Sequence, residues 1–192
     1  MMFLNSSTPL PNTFRPVIRG IHGVVASGHP LTSVAGFRVL QQGGNAVDAS
    51  IAISFALGVV EPQSSGLGGD GFMMIYDNKT NCIKVANGTG AAPSKATIDF
   101  YKKGIPFKGI LSASIPGLVD ALLSAHEKFG ILSLDQCLEP AINLCEEGYP
   151  ISNIQSLSLN LEKEMLSFET SAKIWASKGV PAISGEIIYN PD

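Results

Sequence analysis

The apolar positions of this chain change their period several times, and each change marks an element. Leu31, Val34, Ala35, Val39 and Leu40 recur at helical spacing. Pro30 suits the first turn of that helix, where a missing N–H has no intrahelical partner to lose. Gly43-Gly44 ends it, because glycine accepts the left-handed conformation of a helix end. Asn45 then caps a second helix. Its apolar residues, Ala46, Val47, Ala49, Ile51, Ala52, Ile53, Phe55, Ala56 and Leu57, cover nearly the whole circumference. A helix apolar all round is a buried one. It stops near Glu61, since Pro62 disfavours a helical residue before it.

Beyond a glycine-dense stretch, Phe72-Met73-Met74-Ile75-Tyr76 is a continuous apolar run of strand length. Cys82 to Ala86 alternates like a second strand, and the turn formers Asp77 to Asn81 lie between. The pair predicts a β-hairpin with buried strands. Gly23-Val24-Val25-Ala26 is a further short β-type run. Thr97 can cap a short helix through Tyr101. Helices follow over Leu118–Phe129, from Ser133 to about Glu147, and from Ser152 to Leu166. The last stretch is loop-like, with a strand candidate at Glu186–Tyr189. Residues 1–20 hold Pro9, Pro11 and Pro16 and few periodic apolars, which predicts an extended arm ahead of a folded unit over 21–192. Helices around a hairpin define an α+β layered class. Two strands do not form a stable sheet alone. The sheet is therefore expected to be completed by residues this chain does not contain, or by a partner.

Composition narrows the function classes. Hydrophobic residues make up 45% of the 192 positions and charged ones 15%, enough for a core. The net charge is −3 and no run of basic residues occurs, so no nucleic-acid or anionic-membrane partner is expected. The most apolar stretch, Ala46 to Val60, contains Asp48 and falls short of the ~20 residues that span a bilayer. The apolar start Met1-Met2-Phe3-Leu4 breaks at Asn5, without the basic and hydrophobic regions of a signal peptide. A cytoplasmic protein is the expectation. Cys82, Cys137 and Cys145 form no dense framework and read as buried small hydrophobes, with Cys137 and Cys145 on one helix face. His22, His29 and His126 are scattered, so no metal site is expected. Asp48, a carboxylate in an apolar helix, needs local hydrogen-bond partners. His29 has a structural role at its helix start, and His22 and His126 are incidental.

Ser64-Ser65-Gly66-Leu67-Gly68-Gly69-Asp70-Gly71 is the densest motif. Glycines let a backbone turn sharply and let other groups approach it. A phosphate cradle requires the order strand, glycine turn, helix. Here the order is helix, turn, strand. A tight handover between two elements is the plainer reading, with Glu61 and Asp70 placed to hold the turn through backbone N–H groups.

Several longer words carry a resemblance. Gly43-Gly44-Asn45-Ala46-Val47-Asp48-Ala49, then Gly58-Val59-Val60-Glu61-Pro62 and the glycine segment, then Ala92-Pro93, Ser114-Ile115-Pro116-Gly117 and Pro140-Ala141-Ile142, resemble the γ-glutamyltranspeptidase family in the same order. The resemblance implies an N-terminal-nucleophile (Ntn) hydrolase with a four-layer αββα sandwich, of which this chain carries an incomplete part. It implies a precursor that cuts itself into two subunits and exposes a threonine as nucleophile, whose own α-amino group can act as base. It implies small-molecule amide or γ-glutamyl substrates such as glutathione, the remainder of the precursor as partner, and no metal or organic cofactor. The self-cleaving segment is not in this chain: Thr8, Thr13, Thr32, Thr80, Thr89, Thr97 and Thr170 all lie upstream of where the resemblance puts it. No catalytic residue is therefore expected here, and the chain alone is expected to be inactive. Anchored on Ala92-Pro93, the arginine that grips the α-carboxylate in the family falls at Thr89, within Asn87-Gly88-Thr89-Gly90. Threonine cannot supply that charge. Thr89 is thus the candidate substrate-binding position, and its departure points to the acylase-like or amidohydrolase branch. The competing reading is a truncated, inactive paralogue that acts as a binding or scaffold remnant.

Overall fold

Asn45 opens the central helix as expected. Its Oδ1 accepts the backbone N–H of Val47 and of Asp48, and the Asp48 carboxylate returns a bond to the Asn45 N–H. This reciprocal box satisfies donors that every helix start leaves orphaned. In the computed structural model, which describes residues 17–191, that helix is α2 (Ala46–Val60). It follows α1 (Pro30–Gln41) after a turn at Gly43, whose φ of 92° is the left-handed value anticipated. The arm expected over 1–20 falls mostly on residues 1–16, outside the described residues.

The hairpin is present as β1 (Phe72–Asp77) and β2 (Cys82–Asn87), antiparallel, with Phe72 opposite Asn87 and Asp77 opposite Cys82. Then come α3 (Leu118–Phe129) and α4 (Leu134–Glu146). A two-residue strand β3 (Tyr149–Pro150) precedes α5 (Asn153–Leu161) and α6 (Glu169–Trp175). It pairs with β4 (Ile187–Ile188). The architecture is mixed helix and strand, α+β. One core cluster joins Val47 and Ile51 of α2 to Met73 of β1, Leu122 and Ala125 of α3 and Cys137 of α4. A second gathers Val60, Tyr149, Ile151, Leu159, Trp175 and Ile188. Burying a side chain such as Ile51 fully contributes about 1.5–3 kcal/mol.

Five expectations need correction. Residues 23–26 form no strand, because no neighbouring strand supplies their hydrogen bonds among the described residues. Thr97–Tyr101 is a turn, although Thr97 Oγ1 accepts the Phe100 N–H at 3.2 Å as a cap would; helix formation needs more than one bonded turn. The segment from Ser152 to Leu166 breaks at Glu162 into α5 and a 3-10 stretch, Lys163–Ser167. The hairpin is not buried on both faces: Met73 packs against α3, but Phe72, Met74 and Tyr76 are exposed. Cys82 is exposed too, so only Cys137 is the fully buried small hydrophobe expected of all three. No helix among the described residues is long and apolar enough to cross a membrane.

Candidate functional site: a corner built from glycine backbones

Three separate segments meet where β1 begins. The first is the turn after α2. There the carbonyl of Glu61 accepts the N–H groups of Ser64 and Ser65, both at 2.9 Å. The carboxylates of Glu61 and Asp70 were expected to do this; the backbone carbonyl of Glu61 does it instead. The second segment follows β2: Gly88 N–H donates to Gly71 at 2.8 Å, which extends the hairpin by one pair. The third precedes α3: Gly90 N–H donates to Ile115 at 3.2 Å, and Gly117 and Leu118 donate to Gly69 at 3.1 and 3.2 Å.

The contact is possible only between residues without side chains. A Cβ on Gly117 would sit 2.4 Å from the Gly88 oxygen, and one on Gly88 would sit 2.8 Å from the Gly117 oxygen. Such separations are prohibitive. The spacing of Gly88 and Gly117 in the sequence, 29 positions apart, gives no sign of their meeting.

The glycine segment runs from helix α2 to strand β1, the reverse of the order a phosphate cradle requires. The N–H groups of Gly117 and Leu118 are engaged by the Gly69 carbonyl, and the Gly69 N–H bonds Gly66 at 3.2 Å. Beside the corner lies an open cavity of about 510 Å³, bordered by Ser54, Pro62, Ser64, Ser65, Asp70 and Leu118 among others. Its side chains offer hydroxyls and one carboxylate but no cation.

Thr89 stands in the corner between Gly88 and Gly90. It is exposed, and its N–H is held by Asn87 Oδ1 at 2.9 Å. Thr89 is not among the residues that border the cavity. The structure thus places the sequence-derived candidate at the corner's rim.

His29 is the helix cap anticipated: its Nδ1 accepts the Leu31 N–H at 3.2 Å. His126 is not incidental. Its Nε2 lies 3.1 Å from the Leu132 carbonyl and 3.8 Å from Asp48 Oδ1. Asp48, His126 and Cys137 form a cluster whose donor atoms all lie within 4.8 Å, a spacing that could hold a metal ion. Each already has a protein partner, however. Asp48 accepts the N–H groups of Asn45, Ile131 and Leu132, and the Cys137 thiol donates to it at 3.9 Å. Burial, then the Asp48 charge and its hydrogen bond, push that thiol up to about 11. A neutral thiol bonded to a carboxylate describes a structural junction, and metal binding would require its proton to leave.

The mixed α+β fold of this chain is similar to solved γ-glutamyltranspeptidase and acylase folds. The γ-glutamyltranspeptidase of Helicobacter pylori superposes with a TM-score of 0.81 at 33% identity, over 91% of this chain and 52% of that one. The cephalosporin acylase of Bacillus halodurans gives 0.81 at 32% identity, over all of this chain and 37% of that one. The profile of the gamma-glutamyltranspeptidase family matches residues 32–192, and the chain belongs to that family. It is 38% identical over 188 residues to the glutathione hydrolase proenzyme of Bacillus subtilis strain 168, covering 93% of this chain and 32% of that protein. The chain spans about a third of the length of the curated relatives it matches.

Proposed function

We propose that this chain supplies the front wall of an Ntn amide hydrolase or acyltransferase, acting on small amides or γ-glutamyl compounds, whose nucleophilic threonine lies outside it. The observation that carries the proposal is the family match together with an unfinished sheet. The hairpin β1–β2 leaves Phe72, Met74, Ile83 and Val85 uncovered. The remaining part of a longer precursor, small subunit included, would supply the strands that cover them and complete a four-layer αββα sandwich over residues 21–192. No cofactor enters the chemistry, since a threonine with its own α-amino group supplies both nucleophile and base.

Thr89 is the proposed substrate-facing position. Without a guanidinium there, recognition of an α-carboxylate is weakened. This favours acylase-like or simple amide substrates over γ-glutamyl ones. The test is to assay the protein extended through its complementary subunit against γ-glutamyl-p-nitroanilide and against uncharged anilides. Turnover that prefers uncharged anilides supports the reading. Turnover by residues 1–192 alone overturns the external nucleophile.

A further inference from the structure

The carbonyl of Val59 lies in the last turn of α2, where a helix runs out of backbone donors. Pro62, three positions on, has no N–H, and the N–H groups of Ser64 and Ser65 go to the Glu61 carbonyl instead. A side chain 90 positions away fills the place: the Tyr149 hydroxyl donates to Val59 at 2.9 Å. A carbonyl can only accept, so the tyrosine proton is committed to it. The Tyr149 oxygen then accepts, and Gln155 Nε2 donates to it at 2.9 Å. Tyr149 and Gln155 are each 1% exposed, so both side chains are shut off from bulk water. Burial raises the Tyr149 phenol from its ordinary 10.0 to about 12, which keeps its proton in place throughout the neutral range.

These two bonds end beside the candidate site. Ser54 and Leu57 of α2 border the cavity at the glycine corner, and so do Pro62, Ser64 and Ser65, which follow the helix directly. Tyr149 and Gln155 do not border it, so whatever they do there passes through the end of α2. Val60 packs in the same core cluster as Tyr149 and presses the helix against it, but apolar contact has no direction. A hydrogen bond has one. The Tyr149 hydroxyl therefore fixes the rotation of the last turn, and with it the course of the chain that leaves the turn.

We propose that Tyr149 is a positioning residue for this cavity, holding through Val59 the wall formed by Pro62, Ser64 and Ser65, with Gln155 fixing the hydroxyl that does so. The inference rests on the amide-hydrolase reading in one respect: it takes the cavity for part of the substrate site. The nucleophile of that reading lies outside this chain. The placement of the wall then acts on substrate binding and not on the bond-breaking step.

Amide NMR signals of the 192-residue chain in dilute solution read the hold on the wall without any activity, and a mere loss of global stability does not move them. Tyr149→Phe removes one oxygen and keeps the ring in its cluster. It should displace the signals of Ser64, Ser65 and Gly66 and leave those of Leu122 and Ala125 in α3 where they are. Gln155→Leu should displace the same signals, and added to Tyr149→Phe it should move them no further, because Gln155 works through the hydroxyl. In the protein extended through its complementary subunit, Tyr149→Phe should raise KM about threefold or more and keep kcat within about twofold. Unmoved signals at Ser64 and Ser65, additive displacements in the double variant, or an unchanged KM would each overturn the proposal. An extended parent protein that turns over neither anilide overturns the amide-hydrolase reading instead, and the NMR comparison still decides whether Tyr149 holds the wall.

Discussion

The backbone N–H of Ile131 points at both carboxylate oxygens of Asp48, at 3.1 and 3.2 Å, across 83 positions of sequence. One buried side chain thus ties the start of α2 to the turn between α3 and α4. Asn45 Nδ2 reinforces the tie with a bond to the Phe129 carbonyl at 2.6 Å. Replacing Asp48 by Ala leaves the N–H groups of Asn45, Ile131 and Leu132 without an acceptor. These donors lie in part-buried positions where water recovers part of the loss, so the variant should be destabilised by about 1–3 kcal/mol. Asp48→Asn keeps one acceptor oxygen and should lose less. Urea unfolding measures both; a loss below ~1 kcal/mol for Asp48→Ala contradicts the assignment.

Cys137 and Cys82 should behave oppositely toward a thiol reagent. Cys82 is exposed and should react promptly at pH 8, while Cys137 should react only on unfolding. The same burial predicts an alkaline weakness. The Cys137 thiol is raised from its ordinary 9.0 to about 11 in the folded chain. Its contribution to stability is therefore complete below pH 9 and is lost as pH climbs toward 11. Tyr149, pushed up by burial from 10.0 to about 12, adds to the loss above pH 10. Unfolding midpoints between pH 8 and 11 should fall, and Cys137→Ala should flatten the first part of that fall.

The glycine corner makes a paired prediction. Gly117→Ala places a methyl against the Gly88 backbone and should destabilise by about 1–3 kcal/mol. Gly66, in the glycine-dense segment after α2, has open space where a Cβ would go, so Gly66→Ala should stay within ~0.5 kcal/mol of the parent. Thermal unfolding of the two variants side by side separates a packing requirement from a merely glycine-rich composition. Equal effects would sink the packing account.

Thr89→Arg should restore a carboxylate grip in the extended, active protein. A charge-assisted bond contributes about 1.5–3 kcal/mol, so kcat/KM for γ-glutamyl-p-nitroanilide should rise roughly tenfold or more. Most of the change should appear in KM, with little effect on an uncharged anilide. An equal change for both substrates would place Thr89 outside the pocket.

The open face of the hairpin should make the 192-residue chain self-associate. Phe72, Met74 and Val85 are 70%, 73% and 58% exposed on strands with free edges. Exposed apolar strand surface invites pairing with another chain. Light scattering and binding of a hydrophobic dye should both report it, and Met74→Lys should reduce both. A monodisperse chain that binds no dye counts against the unfinished-sheet reading.

Most of the element list was legible in the chain because its signals are local. Pro30, Gly43, Asn45, Pro62 and Ser133 each act on their own turn of backbone and mark ends of α1, α2 and α4, and the turn formers Asp77 to Asn81 mark the hairpin. The short elements were legible only in part. β4 lies within the strand candidate at Glu186–Tyr189, whereas its partner β3 exists only because Tyr149 and Ile188 meet across 39 positions, and the expected strand at 23–26 failed for want of such a partner. The corner shows the same division. That the chain turns after α2 is written in the motif; that Gly88 and Gly117 must be glycine depends on two backbones touching. Asp48 could be known to need partners, since a buried carboxylate always does. That its partners would be Ile131, Leu132 and Cys137, with His126 alongside, was decided by packing, because hydrogen-bond donors from distant segments become neighbours only when helices α2, α3 and α4 close on one core.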